Sequence, residues 1–240
     1  MKEKTLLEAA KDILLGKTIN EGYDNSINFY NQRLTELPDD LPEQIKGSFD
    51  CSDNKLTDLE GAPTVVGGSF NCSLNKLSSL DGAPKKVGLD FNCVGNSLRD
   101  LEGAPTVGRS FYCQDNALRN LKGAPTEVKE DFFCSRNKLT NLEGAPTTVK
   151  GNFSCTNNKL TSLKGAPTTV RGNFSCQDNK LTDLEGAPTE VKDFDCRNNK
   201  LTSLKGAPKT ARTFDCSGNP GKFTEEDVRA VCKVKGKVYV

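Results

Sequence analysis

Nine cysteines, at positions 51, 72, 93, 113, 134, 155, 176, 196 and 216, follow one another at intervals of 20 or 21 residues. Each lies two residues after a phenylalanine, or in one inverted view three residues before an asparagine, so the spacing belongs to a whole repeated unit. That unit reads Phe-x-Cys-x-x-Asn-x-Leu-x-x-Leu-x-Gly-Ala-Pro-x-x-Val, followed by a short spacer. Gly-Ala-Pro closes eight units, from Gly61-Ala62-Pro63 to Gly206-Ala207-Pro208. An earlier, divergent unit begins at Ile27, with Phe29 in the cysteine slot and Gln32 in the asparagine slot, which makes ten candidate strands. A unit this short cannot bury its own apolar side, whereas stacked units share one continuous core. The period therefore predicts a solenoid.

Phe and Cys alternate with mostly polar residues, which sends them to one side of a short strand and the intervening residues to the other. Ten parallel strands about 4.8 Å apart give a stack roughly 45 Å long. Each Asn is expected to bond the backbone of the turn leaving its strand, because a buried amide needs partners. Gly-Ala-Pro then turns the chain: Gly permits a tight conformation, Ala adds no bulk and Pro fixes φ. With no room for a long helix, the outer side is expected to be irregular or polyproline-like.

The unit resembles the leucine-rich repeat, L-x-x-L-x-L-x-x-N/C-x-L, with Val matched to the first Leu, Phe and Cys to the strand leucines and Asn to the asparagine. The resemblance covers roughly residues 27–219. The short period and the Leu34-Thr35-Glu36-Leu37-Pro38 segment look like the repeats of secreted bacterial effectors. Cys in place of Leu, and the Gly-Ala-Pro turn, depart from those and look more like repeats encoded in tailed-bacteriophage genomes. The fold class implied is a leucine-rich repeat solenoid of the α/β class with β predominating, its binding side the polar, concave strand face.

Composition narrows the chemistry. The chain has 33 Lys+Arg against 32 Asp+Glu, a balance that gives no electrostatic case for nucleic acid or an anionic membrane. No stretch approaches the about 20 apolar residues of a membrane span, and Met1 to Lys17 carries Glu3, Glu8, Lys11 and Asp12, unlike a signal peptide. Histidine is absent, which removes imidazole bases and Cys/His zinc sites. No cofactor and no metal is implied. The ladder cysteines read as small buried hydrophobes, too far apart between strands for disulfides, and so favour a reducing, cytoplasmic compartment. Only Cys232 lies off the ladder, with nothing nearby to activate it.

Both ends read as caps. In residues 1–26, Thr5-Leu6-Leu7-Glu8 looks like a capping box that opens a helix with an apolar stripe of Leu6, Leu7, Ala10, Ile13 and Leu14, ending at Gly16. In residues 220–240, Thr224-Glu225-Glu226-Asp227 opens a short helix with Val228, Val231 and Cys232 facing inward. Val234, Val238 and Val240 then alternate with lysines as an edge strand or hairpin.

The polar strand column runs Asn28, Asp50, Asn71, Asn92, Tyr112, Phe133, Ser154, Ser175, Asp195, Asp215. Two adjacent aromatics interrupt it, and their rings are expected side by side, exposed, about 5 Å apart. Aromatic anchors among polar residues have the composition of a binding hot spot. Around Tyr112 and Phe133 we place Asn92, Val94, Gln114, Asp115, Asp131 and Arg136, with Ser110, Ser135 and Leu74 beside them and Arg99 and Arg119 at the edge. The resulting reading is a monomeric, non-enzymatic protein-binding module, directed at a host protein if phage-encoded. A structural or assembly part of a phage particle is the alternative. An effector-type enzyme stands third, since such enzymes carry a separate catalytic domain and only 21 residues follow Asn219.

Overall fold

The computed structural model describes residues 25–240, so the helix expected near Thr5 lies outside the described residues. Its principal feature is one parallel sheet of eleven strands in strict sequence order, from Ile27–Asn28 through Phe132–Phe133 to Val238–Tyr239. The register is the repeat itself: Phe132 pairs with Phe111 on one side and Phe153 on the other, and Phe133 with Tyr112 and Ser154. Sequence phase and spatial phase therefore coincide.

Every ladder Phe and Cys is buried, as are the two leucines that follow in each repeat. The phenylalanines stack down the axis. Phe49 and Phe70 lie 5.2 Å apart at 5°, and Phe132 and Phe153 lie 5.7 Å apart at 7°. Phe29 occupies the cysteine slot and meets Phe49 edge-on at 71°, which closes the stack at that end. Offset and edge-on contacts of this kind add to simple burial.

The asparagines do more than hold their own turn. Asn158 Nδ2 donates to the carbonyls of Cys155 and Thr156 in its own turn and of Cys134 in the preceding one, while its Oδ1 accepts Leu139 N at 3.0 Å. The same set recurs from Asn54 to Asn219. Gln32, aligned with this slot, is exposed, and its side chain donates only to Tyr30 O, while its backbone N–H donates to Asn54 Oδ1. One residue before each Asn the backbone enters the left-handed region, at Asp53, Leu74, Gly95, Asp115, Arg136, Asn157, Asp178, Asn198 and Gly218. The Gly of Gly-Ala-Pro does so as well. At Gly123 (φ +90) a methyl group would also collide with the Leu101 carbonyl of the preceding turn.

The outer side is more regular than expected. The Val of each unit lies four residues ahead of Phe in most turns, one more than the family leucine, and builds its own short parallel ladders. These comprise four strands (Gln44–Ile45 to Thr106–Val107), three strands (Glu127–Val128 to Thr169–Val170) and two strands (Thr210–Ala211 with Lys233–Val234). The first interruption follows the unit that lost a residue between Pro105 and Val107, and the second precedes the unit that lost one between Val191 and Phe194. Missing residues are absorbed on the outer side, and the inner sheet runs through unbroken.

The C-terminal segment holds the expected short helix and edge strand, with differences in detail. A helix spans Glu225–Val231, capped by Thr224 with a reciprocal bond between Thr224 and Asp227. Val228 and Cys232 are buried, but Val231 is 45% exposed because it lies off the face that meets the last turn. The final strands form no hairpin. Lys233–Val234 extends the outer ladder and Val238–Tyr239 pairs in parallel with Phe214 and Asp215, so the segment is one more turn with the helix in place of Leu-x-x-Leu-x-Gly-Ala-Pro.

All ten cysteines are free and buried. They also make a contact that the sequence did not indicate: Cys113 Sγ donates to Phe133 O at 3.3 Å and Cys134 Sγ to Ser154 O at 3.4 Å, each a weak bond to the next turn. Burial pushes their thiols up, Cys216 to about 11, which keeps them protonated near neutrality. Two outcomes follow. Phe132→Ala should cost about 3 to 5 kcal/mol in urea unfolding. None of the ten thiols should react with a thiol-specific reagent at neutral pH until denaturant unfolds the protein, since only an accessible thiolate attacks.

Candidate partner-binding face

Three columns of side chains leave the inner sheet away from the core. The central one follows each Phe, a second follows each Cys and a third precedes each Phe. The third column is largely committed to structure. Ser110 Oγ accepts Asp131 N, Asp131 Oδ1 accepts Asn152 N at 2.7 Å and Asn152 Oδ1 accepts Asn173 N at 2.9 Å, each side chain capping the next turn. Ser110, expected among the contact residues, is only 1% exposed for that reason. Asp131 keeps its second carboxylate oxygen without a cation partner among the described residues.

The central column is where the structure brings the candidate residues together. Tyr112 and Phe133 sit in register with ring centroids 5.6 Å apart, tilted by 55°. Both are half-buried rather than exposed, because each ring shields the other and adjacent strands are only one strand spacing away. Asn92 Oδ1 accepts Val94 N, which holds the turn after its strand. Asp115 and Arg136, in successive left-handed slots, form a two-pronged pair, Nε to Oδ1 at 2.6 Å and Nη2 to Oδ2 at 2.8 Å. Arg99 and Arg119 lie beyond the asparagine turn, joined only through backbone, and do not gather with the aromatics.

Phe133 also forms one wall of an open depression of about 420 Å³ that runs toward the C-terminal turns. Its floor is made by small side chains, Ser135, Ser154, Thr156 and Ser175, where the aromatic column gives way to serines. At opposite ends of it lie Gln114 and Asn173, whose Oε1 and Oδ1 are buried without a hydrogen-bond partner. Asn173 is orphaned for a traceable reason. The capping series stops at the next turn, which is one residue short between Val191 and Phe194: Lys192 N keeps the regular backbone bond to Gly172 O, but no N–H reaches Asn173 Oδ1.

Two further features of this face go beyond the sequence reading, which places Leu74 and Val94 beside the aromatics but neither Tyr239 in the column nor Leu74 in the left-handed region. Tyr239 pairs with Asp215 and so extends the central column with a third aromatic, 47% exposed. Near it, burial pushes the Asp195 carboxyl above the ordinary range against the pull of Arg197, and Asp215 and Asp178 push it further. Toward the other end, Leu74 holds φ +55, an unfavourable conformation for a bulky side chain, and is 57% exposed. Its side chain leans over Gly95 of the next turn, beside Val94, so Leu74, Val94, Tyr112 and Phe133 form an apolar diagonal over four turns.

The fold is a leucine-rich repeat solenoid of parallel strands. No family model and no curated protein sequence matches the chain. Its solved structural neighbours are leucine-rich repeat effectors. YopM from Yersinia enterocolitica WA-314 is similar with a TM-score of 0.53 and 24% identity over 78% of this chain, which spans 44% of the length of that protein. The leucine-rich effector YopM from Yersinia pestis gives 0.49 at 21% identity over 81% of this chain and 66% of that one. A Shigella effector LRR domain gives 0.46 at 17% over 95% and 84%. Among the described residues, no group of three or more His, Cys, Asp or Glu could hold a metal ion, and no helix is long and apolar enough to cross a membrane.

Leu74 supplies a test of whether this face carries strain. Leu74→Gly removes the left-handed penalty, of order 1 kcal/mol, and should raise the urea midpoint. A lower midpoint would show that the contact over Gly95 outweighs the strain.

Proposed function

We propose that the protein is a non-enzymatic binding module whose inner strand face holds a partner protein around Tyr112 and Phe133. One observation carries the reading: two half-buried aromatics stand side by side on a mostly polar face, beside an open depression lined by unsatisfied polar atoms. Aromatic anchors at the centre of a surface with a polar rim are the usual seat of binding energy. Asn92, Val94, Gln114, Asp115, Asp131 and Arg136 surround them, and the Arg136–Asp115 pair fixes a rigid boundary on one side. Similarity to repeat effectors supports a binding role for the fold; the partner is chosen by the side chains on this face.

Ten unpaired thiols favour action in a reducing cytoplasm. The Gly-Ala-Pro repeat type is the ground for reading the protein as phage-encoded and aimed at a host protein. It acts by occupancy, as a monomer, and residues 27–219 with their terminal caps serve as one scaffold.

Affinity capture from host lysate with the natural protein, beside a Tyr112→Ala, Phe133→Ala double variant of equal thermal stability, tests the site. The variant should recover the specific partner at least about tenfold less efficiently, as loss of a hot spot predicts. Equal recovery by both proteins would remove the site.

A further inference from the structure

We infer that the depression beside Phe133 receives an extended, basic peptide segment, laid obliquely across the strands from Gln114 to Asn173. The inference rests on the reading of this face as a protein-binding surface and specifies the chemistry of the partner.

Geometry sets the length. Gln114 and Asn173 are three turns apart along the axis, roughly 14 Å, and four residues apart across the strands, roughly 13 Å. The diagonal is about 19 Å, which an extended chain at about 3.3 Å per residue covers in about six residues. A compact ligand cannot reach both ends.

Hydrogen bonding sets the backbone chemistry. Gln114 Oε1 and Asn173 Oδ1 are buried acceptors with no donor in the protein. An unsatisfied buried acceptor carries a penalty that a ligand N–H removes on binding. Both atoms lie out of solvent reach in this structure, so main-chain N–H groups at the two ends of an extended segment meet them once the Gln114 and Asn173 side chains turn into the depression, as in other modes of peptide recognition that use main-chain bonds for affinity.

Charge sets the side chains. The three inner columns hold six carboxylates, Asp50, Asp90, Asp131, Asp193, Asp195 and Asp215, against two cations, Arg197 and Lys237, while the whole chain is balanced at 33 to 32; from outside the columns Arg212 pairs with Asp193 and Arg109 stands 3.9 Å from Asp90, which leaves Asp50 and Asp131 without a cation among the described residues. Arg136, the cation that lines the depression, is held by Asp115. Asp131 does not line the depression itself but bonds Asn152, which does, and is engaged only by that residue's neutral groups; Arg197 is shared between Asp195 and Asp215. A partner arginine or lysine would lay its aliphatic stem along Phe133, whose ring face also favours a cation, and bring its charge to Asp131.

The test uses a fluorescein-labelled hexapeptide alternating arginine and glycine, with glutamate–glycine and glutamine–glycine counterparts, read by fluorescence anisotropy on the full chain. The arginine peptide should bind and the other two should not. Ser154→Phe fills the floor in a slot where the preceding turn already carries Phe133, and should weaken binding by about tenfold. Asp131→Asn keeps the acceptor for Asn152 N and should weaken binding by about threefold with a shallower salt dependence. No binding of the arginine peptide, equal binding of either counterpart, or binding unchanged by either variant would overturn the inference. So would self-association in sedimentation that Ser154→Phe abolishes, because the depression would then belong to a second copy of the chain. Each of these failures leaves the capture experiment with Tyr112→Ala, Phe133→Ala standing, and loss of that result would instead remove the binding face.

Discussion

The asparagine ladder is the interaction on which the rest of the solenoid depends. In each turn one side-chain amide satisfies carbonyls of two successive turns and accepts a backbone N–H of the preceding one. The turn after each strand is therefore closed by a side chain, and the polar backbone at the edge of a phenylalanine-filled core finds partners there instead of water. To bring the amide into place, the residue before it takes the left-handed conformation. That geometry explains why Asp, Asn and Gly prevail at this slot and why Leu74 is out of character there.

Once the ladder, the core and the capping column are assigned, few slots remain free. Phe, Cys, Leu and Val fill the interior, Asn closes the turn, Gly reverses the chain and the residue before Phe caps the next turn. The central column, the column after Cys and the left-handed slot vary most, although Asp50, Asn71, Asn92, Asp195 and Asp215 in the central column still accept the N–H two residues on. The departures from consensus fall there: Tyr112, Phe133, Val94, Leu74, and Arg136 with its partner Asp115. A substitution that is free of structural duty is a stronger pointer to recognition than one that alters packing.

The repeat made the strand register, the buried Phe and Cys and the polar inner face legible, because alternation and period act on every turn alike. What escaped was whatever depends on a neighbouring turn. Partial burial of Phe133 depends on Tyr112 standing beside it. The eleventh strand carries Val238 where other turns have Phe and lacks both Cys and Asn, so alternation shows an edge strand or hairpin there without placing Tyr239 in the column. Val231 was assigned inward from helical spacing, but a helix of seven residues against one turn buries a narrow stripe, and Val228 with Cys232 already fills it.

The shortened units show how a repeat protein can acquire a singular site without disturbing its scaffold. Loss of one residue after Val191 leaves the inner sheet and the Phe174–Phe194 stack intact, at 5.6 Å and 12°. At the same turn an outer ladder ends and Asn173 Oδ1 is left without the N–H that caps its counterparts. Both changes lie outside the core of Phe, Cys and Leu, so the solenoid tolerates them. The orphaned acceptor, however, falls at the rim of the depression next to Phe133. A deletion that shifts no core residue thus changes what the inner face can bind, and a site of this kind is found by following hydrogen bonds from turn to turn.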